Sequence, residues 1–215
     1  ARSVASDYDF TAPTIANAAG SITPKVLATT ASIGGTLTKT YDGTTVATGA
    51  AIVSNIAGAA VGDTLSLNTS AITLAYNNAH VAGANAVVAS GSSTLTINSA
   101  TASSVAGDYS FTAPTIANAN ATITPKALTI TGITAADKVY DGLTTATVST
   151  TGVTNSVMQA NGLVAGDTVT VSATGNFRNA GNTANDKNAG NAKTVALSST
   201  YGGADVGNYA ITGQS

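Results

Sequence analysis

The 215-residue chain contains no cysteine, no tryptophan, no glutamate and a single histidine; all ten acidic residues are Asp. These absences exclude whole classes of chemistry. Without Cys and with one His there is no zinc site, iron–sulfur cluster, disulfide framework or thiol nucleophile. A Ser-His-Asp triad would have only His80 to use. Charge is scarce as well: 8% of residues are charged, against ~25% in an ordinary soluble domain. Eight basic residues and a net charge of -2 leave no footprint for nucleic acid or for an anionic membrane surface. No apolar run approaches the ~20 residues of a membrane-spanning helix. Good helix formers are few, with two Gln, one Met and no Glu, whereas Thr and Val abound, a balance that favours strands and turns. With 43% hydrophobic residues and little net charge, the chain lacks the signature of disorder.

What is present is a repeat. SDYDFTAPTIAN at residues 6–17 returns as GDYSFTAPTIAN at residues 107–118, identical at ten of twelve positions. ITPK at 22–25 returns at 123–126, and Tyr41-Asp42-Gly43 returns as Tyr140-Asp141-Gly142. VGDTL at 61–65 returns as AGDTV at 165–169, and GDY at 107–109 as GNY at 207–209. Markers in constant order at nearly constant spacing denote tandem duplication of a unit of about 100 residues, a common domain size. Small changes in spacing mark loops that accept insertions. The frame divides the chain into residues 1–21, the tail (last strand) of a preceding repeat; residues 22–122, a first domain; and residues 123–215, a second domain without its final tail. The expectation is a window on a longer array.

Alternation of apolar with Thr or Ser marks half-buried strands: Leu65 and Leu67, Ile72 and Leu74, and Leu95 and Ile97 in the first unit; Leu128 and Ile130, Val169 and Val171, and Val195 and Leu197 in the second. Gly-Gly, Asp-Gly and Gly-Asp pairs punctuate these runs at roughly a dozen residues. The expected fold is all-β: tandem β-sandwich-like domains of about 100 residues arranged end to end, with β-grasp-like units as the alternative. Residues 50–60 and 155–162 lack clear alternation, and either is a place for a short helical turn. Around residues 117–126 no Gly-Ser linker intervenes, so the last strand of one unit is expected to run almost directly into the next.

The ordered set ITPKALTITGI (123–133), KVYDGLTTATV (138–148), GLVAGDTVTV (162–171), KNAGNAKTV (187–195) and GADVGNYAIT (203–212) resembles the YDG-type tandem repeats of filamentous-haemagglutinin-like bacterial surface adhesins. The first unit departs from it, with VLATTASIGG in place of ALTITGI and no evident KNAG segment. The resemblance implies a non-enzymatic stalk or filament segment of a large secreted adhesin, at the outer surface of a Gram-negative cell, extending a binding tip. It carries no catalytic residues.

Tyr41, Asp42, Gly43, Tyr140, Asp141 and Gly142 read as a structural motif: Asp-Gly makes the turn, and the Tyr ring is buried with its hydroxyl on a neighbouring loop. Lys39 and Lys138 precede that motif and read as solvated cations, with a Lys–Asn isopeptide crosslink as the alternative. Asp63, Asp108 and Asp167 lie in Gly-Asp turns, but calcium wants six to eight oxygens, and no Asp-rich loop occurs; no cofactor is expected. His80 reads as a loop residue. For a carbohydrate- or protein-binding module, the competing reading, exposed aromatic faces are needed, and Tyr76, Phe177 and Tyr201 are the candidates, since Tyr41, Tyr140, Tyr109, Tyr209 and Phe111 read as core. The expected partners are neighbouring repeats, with head-to-tail self-association by strand addition as a further possibility; neither nucleic acid nor membrane insertion is expected. Calcium is tested directly: a chelator is expected to leave the melting temperature unchanged, and a fall would place a calcium ion in a Gly-Asp turn.

Overall fold

A computed structural model of the chain describes residues 2–99 and 104–215. Among the described residues every regular element but four short helical pieces is a strand, and the strands fall into two similar units in tandem. The fold is all-β, built from short two- and three-stranded ladders.

Each unit is closed by pairing its first strand, in parallel, with its last. In the second unit Lys126–Thr129 lies beside Tyr209–Thr212, with Leu128 opposite Ile211. In the first, Lys25–Val26 lies beside Tyr109–Ser110, and the amide of Leu27 extends the ladder by donating to the Ser110 carbonyl at 3.1 Å. Equivalent residues are matched: Lys25 faces Tyr109 as Lys126 faces Tyr209. A short 3₁₀ turn delivers each closing strand, Ala106–Asp108 before Tyr109 and Val206–Asn208 before Tyr209. The same turn forms at Ala5–Asp7 in the N-terminal tail, where Asp7 Oδ2 accepts the Val4 amide at 2.9 Å as Asp108 Oδ2 accepts that of Val105 at 2.8 Å. The turn is therefore encoded locally and needs no surrounding unit.

Antiparallel ladders complete each unit. Asp63–Asn68 pairs with Thr94–Ser99, and Thr170–Phe177 with Val195–Gly202. Alternating burial along Asp63–Asn68 and Val195–Gly202 follows the apolar/Thr-Ser alternation of the sequence. Residues 50–60, expected to be irregular or helical, instead hold the strand Ala50–Ala57, paired with Ala28–Gly35 so that Ile52 faces Ile33. The small Ala and Gly residues blur its period, because both faces are partly open. The helical turn falls at the other expected place, Asn155–Ala160, where the Thr154 hydroxyl caps the helix by accepting the Val157 amide at 3.3 Å. Beyond it Gly162 has φ +122, and a Cβ there would sit 2.2 Å from the Ala127 carbonyl oxygen, so only glycine permits this crossing.

The junction is strand rather than linker. Ala119–Asn120 adds to the edge of Ala86–Ser90, antiparallel. Thr122–Thr124 pairs in parallel with Thr38–Thr40, with Ile123 opposite Lys39. Pro125 follows, and the next residue already opens the first strand of the second unit. Ile123 is 1% exposed, and one core cluster runs through the junction, from Ile33, Val87 and Ile123 on one side to Leu128, Met158 and Val169 on the other. Leu128 is fully buried at the closing ladder. Leu128→Ala is expected to destabilise the second unit by about 2–5 kcal/mol, read as a lower urea midpoint at unchanged slope.

Candidate functional site: the junction between units

The YDG turn is a small clamp that the sequence encodes almost completely. Gly43 takes φ +78. Asp42 Oδ1 accepts the Thr44 amide at 2.9 Å, two residues on, and the Lys39 ammonium at 2.7 Å. Lys39 also donates to the Thr44 carbonyl at 2.7 Å and stands 5.4 Å from the centre of the Tyr76 ring. The second unit repeats each contact: Asp141 Oδ1 accepts the Leu143 amide at 2.9 Å and Lys138 at 2.8 Å, and Lys138 donates to the Leu143 carbonyl and lies 5.7 Å from the Phe177 ring. Burial pushes the Asp42 carboxyl up, but Lys39 and the Thr44 donors outweigh it and hold it below the usual carboxylate range. Lys138 holds Asp141 down in the same way. Both lysines were expected to be solvated; instead each is committed to its own turn and half-covered by an aromatic ring, an attraction that an ammonium gains over a π face.

The two tyrosines of the motif part company. Tyr41 is 2% exposed, whereas Tyr140 is 62% exposed. Tyr41 reaches out of its own unit: its hydroxyl donates to Asp167 Oδ2 at 2.9 Å. Its ring packs edge-on against Tyr209, with centroids 5.5 Å apart, and stacks on His80 at 6.3 Å. Tyr209 donates to the same Asp167 oxygen at 2.5 Å, and its own hydroxyl accepts the Val164 amide at 2.9 Å. Burial, and then the bond to Asp167, pushes both phenols well above their ordinary value of 10.0. Tyr140 was expected in the core and is not; among the described residues nothing supplies it with the pocket that the second unit supplies to Tyr41.

A second bridge lies beside the first. Asn208 Oδ1 accepts the Val81 amide at 3.0 Å, and this fixes the amide orientation: its Nδ2 then faces His80 Nδ1 at 3.0 Å. His80 Nδ1 must therefore carry the lone pair. His80, read as a plain loop residue, is a junction residue, and Asn208 is buried.

The first unit has the same receiving pair at its own far end. Tyr109 donates to Asp63 Oδ2 at 2.5 Å and accepts the Ala60 amide at 3.0 Å, as Tyr209 does with Asp167 and Val164. Each unit thus presents a Tyr–Asp receiving pair at one end and a YDG tyrosine at the other.

Two matches to one family model cover most of the chain, at residues 23–117 and 124–215, and both are the YDG domain. The chain belongs to the YDG domain family. No curated protein and no solved structure matches it. The YDG domain is present here as a tandem pair, and its name-giving tripeptide is the clamp that aims a tyrosine at the following domain.

The aromatic candidates for ligand binding are dispersed. Tyr76 is buried beneath Lys39, 3% exposed, and offers no face to a sugar. Phe177 and Tyr201 are half-buried and sit at different points of the Thr170–Phe177/Val195–Gly202 ladder. Asp205 Oδ2 accepts the Thr168 amide at 2.8 Å. Among the described residues no three of His, Cys, Asp and Glu gather into a metal-holding group.

Because the Tyr41 and Tyr209 phenols are raised in the fold, the stability they contribute is fully present below about pH 10 and is lost as pH climbs through their folded-state values. Tyr41→Phe is expected to cost about 1.5–3 kcal/mol near neutrality and to flatten the alkaline limb of the stability–pH curve. Urea melts across pH 7–11 check both effects; an unchanged alkaline slope contradicts the role given to this hydroxyl.

Proposed function

We propose that these YDG domains are non-enzymatic spacers in a large secreted adhesin of the filamentous-haemagglutinin-like kind, carried on the outer surface of a Gram-negative cell. The observation that supports this reading is the junction. Successive domains share a strand, a core and a tyrosine–aspartate bond, and one proline separates the Thr122–Thr124 strand from Lys126–Thr129. A joint made in this way resists bending, and a series of such joints converts repeat number into length. The chain has no cysteine, so its stability does not depend on redox state. Its sparse charge and Thr-rich strands form sheet faces without equipping them for catalysis.

Small-angle scattering on the 215-residue chain tests extension. A compact globule of this length has a radius of gyration of about 17 Å; two domains held end to end give a clearly larger value. A radius near the globular figure, with the domains folded side by side, overturns the spacer reading.

A further inference from the structure

The second unit contains a cavity of about 620 Å³ lined by Lys138, Tyr140, Leu143, Phe177 and Lys193, among others. Hydrogen bonds identify its counterpart in the first unit. The Tyr76 amide donates to the Thr45 carbonyl at 2.7 Å, and the Phe177 amide to that of Thr144 at 2.8 Å. One residue on, the Asn77 amide donates to Ala86, and the Arg178 amide to Thr194, both at 2.9 Å. Phe177 therefore corresponds to Tyr76, Thr194 to Ala86 and Lys193 to Asn85, while Lys138 corresponds to Lys39. In the first unit the space between Lys39 and Asn85 is not empty. Residues 119–124 run through it: the Ala121 amide donates to Asn85 at 3.1 Å, the Thr122 amide to Leu37 at 3.0 Å, and the Tyr41 amide to Thr124 at 2.9 Å, with Ile123 as the buried anchor. The cavity lies at the position that residues 119–124 fill in the first unit.

The chain holds a second such segment, which takes no strand pairing before Lys25 among the described residues. AAGSITPK at residues 18–25 is the counterpart of ANATITPK at 119–126. Ile22 is 102% exposed where Ile123 is 1% exposed. Ile15, the counterpart of the partly buried Ile116, is exposed as well. Donor and seat are thus both uncovered, and Tyr140 stands exposed at the rim of the seat.

We propose that two copies of this chain join head to tail, residues 15–24 of one copy entering the cavity in the second unit of the other. Ile22 takes the place of Ile123, the Tyr140 amide bonds the Thr23 carbonyl, and the Tyr140 ring packs against Tyr109 of the incoming copy as Tyr41 packs against Tyr209. Residues 2–12 stay outside, because they duplicate the closing strand that Tyr209–Thr212 already supplies. Gly20 replaces Ala121 and forfeits a buried methyl, and the His80–Asn208 bridge has no counterpart, since Asp108 stands where Asn208 does. The joint between copies is therefore weaker than the joint within the chain. The proposal stands on the geometry of the seat and not on the spacer reading; scattering and self-association fail independently.

Two measurements on the intact chain test it. Sedimentation from micromolar to millimolar concentration is expected to show mass rising with concentration, with Ile22→Asp remaining monomeric over the same range at an unchanged melting temperature. Self-association that survives Ile22→Asp, or a strict monomer throughout, overturns the proposal. Because the chain has no cysteine, register can be read by crosslinking. Thr122 faces Thr38 in the seated strand, so Ser21 is expected to face Asp137. A mixture of Ser21→Cys and Asp137→Cys chains, mildly oxidised, is expected to yield at least ten times more mixed dimer than either homodimer. Equal yields would mean random collision and overturn the proposed register.

Discussion

One carboxylate oxygen ties the two domains together. Asp167 Oδ2 accepts a hydroxyl from Tyr209 of its own domain and one from Tyr41 of the domain before. A charged acceptor strengthens both bonds. It also fixes where two aromatic rings lie, and those rings carry the core cluster across the boundary. Around this point the other junction contacts become possible: His80 meets Asn208, and residues 119–124 are drawn between two strands of the first domain. Remove the carboxylate and two buried phenols lose their acceptor together, which is why the rest of the joint depends on it.

The device is asymmetric in a useful way. The YDG clamp is self-contained: lysine, aspartate and glycine lie within five residues, and the clamp forms around Tyr140 although that tyrosine is 62% exposed. The receiving pair is self-contained too, since Tyr109 and Asp63 meet within the first domain. Each end is therefore prepared before docking, so little ordering remains when the two meet. Insertions accumulate elsewhere. The loop after Phe177 is longer than that after Tyr76, and it is organised by its own contacts, with Arg178 donating to Asn185 at 2.8 Å and Lys193 paired with Asp186.

Much of the architecture was legible in the sequence because it is written in local terms. Period-two alternation marked the strands, Asp-Gly marked the clamps, and the duplicated markers revealed two domains. The junction was hidden by distance along the chain. Tyr41 and Asp167 lie 126 residues apart, and no local pattern states that a side chain of one repeat is buried by the next. Tyr140 consequently looked like core, as its counterpart Tyr41 is; His80 does lie in a loop, but its contact with Asn208 had no local sign; and Tyr76 looked like an exposed face because the lysine that covers it stands on another strand of the same unit. The strand Ala50–Ala57 was obscured for a different reason: alanine contributes little to either face, so its alternation carries almost no signal. The usable clue to the junction was that the GDT and GNY markers recur together with YDG, at opposite ends of the unit.

The parallel closing ladder carries a mechanical consequence. The chain enters the second domain at the start of Lys126–Thr129 and leaves it through the end of Tyr209–Thr212, two strands that lie side by side and point the same way. Tension along the chain pulls these strands past one another lengthwise, so their cross-strand bonds share the load and must break nearly together. An antiparallel closing pair, pulled apart from one end, would surrender its bonds singly. The first domain closes on a shorter ladder, two paired residues in each strand extended by the Leu27–Ser110 bond, and there residues 119–124, paired with the strands at Thr38–Thr40 and Ala86–Ser90, stand between the closing strand and the pull.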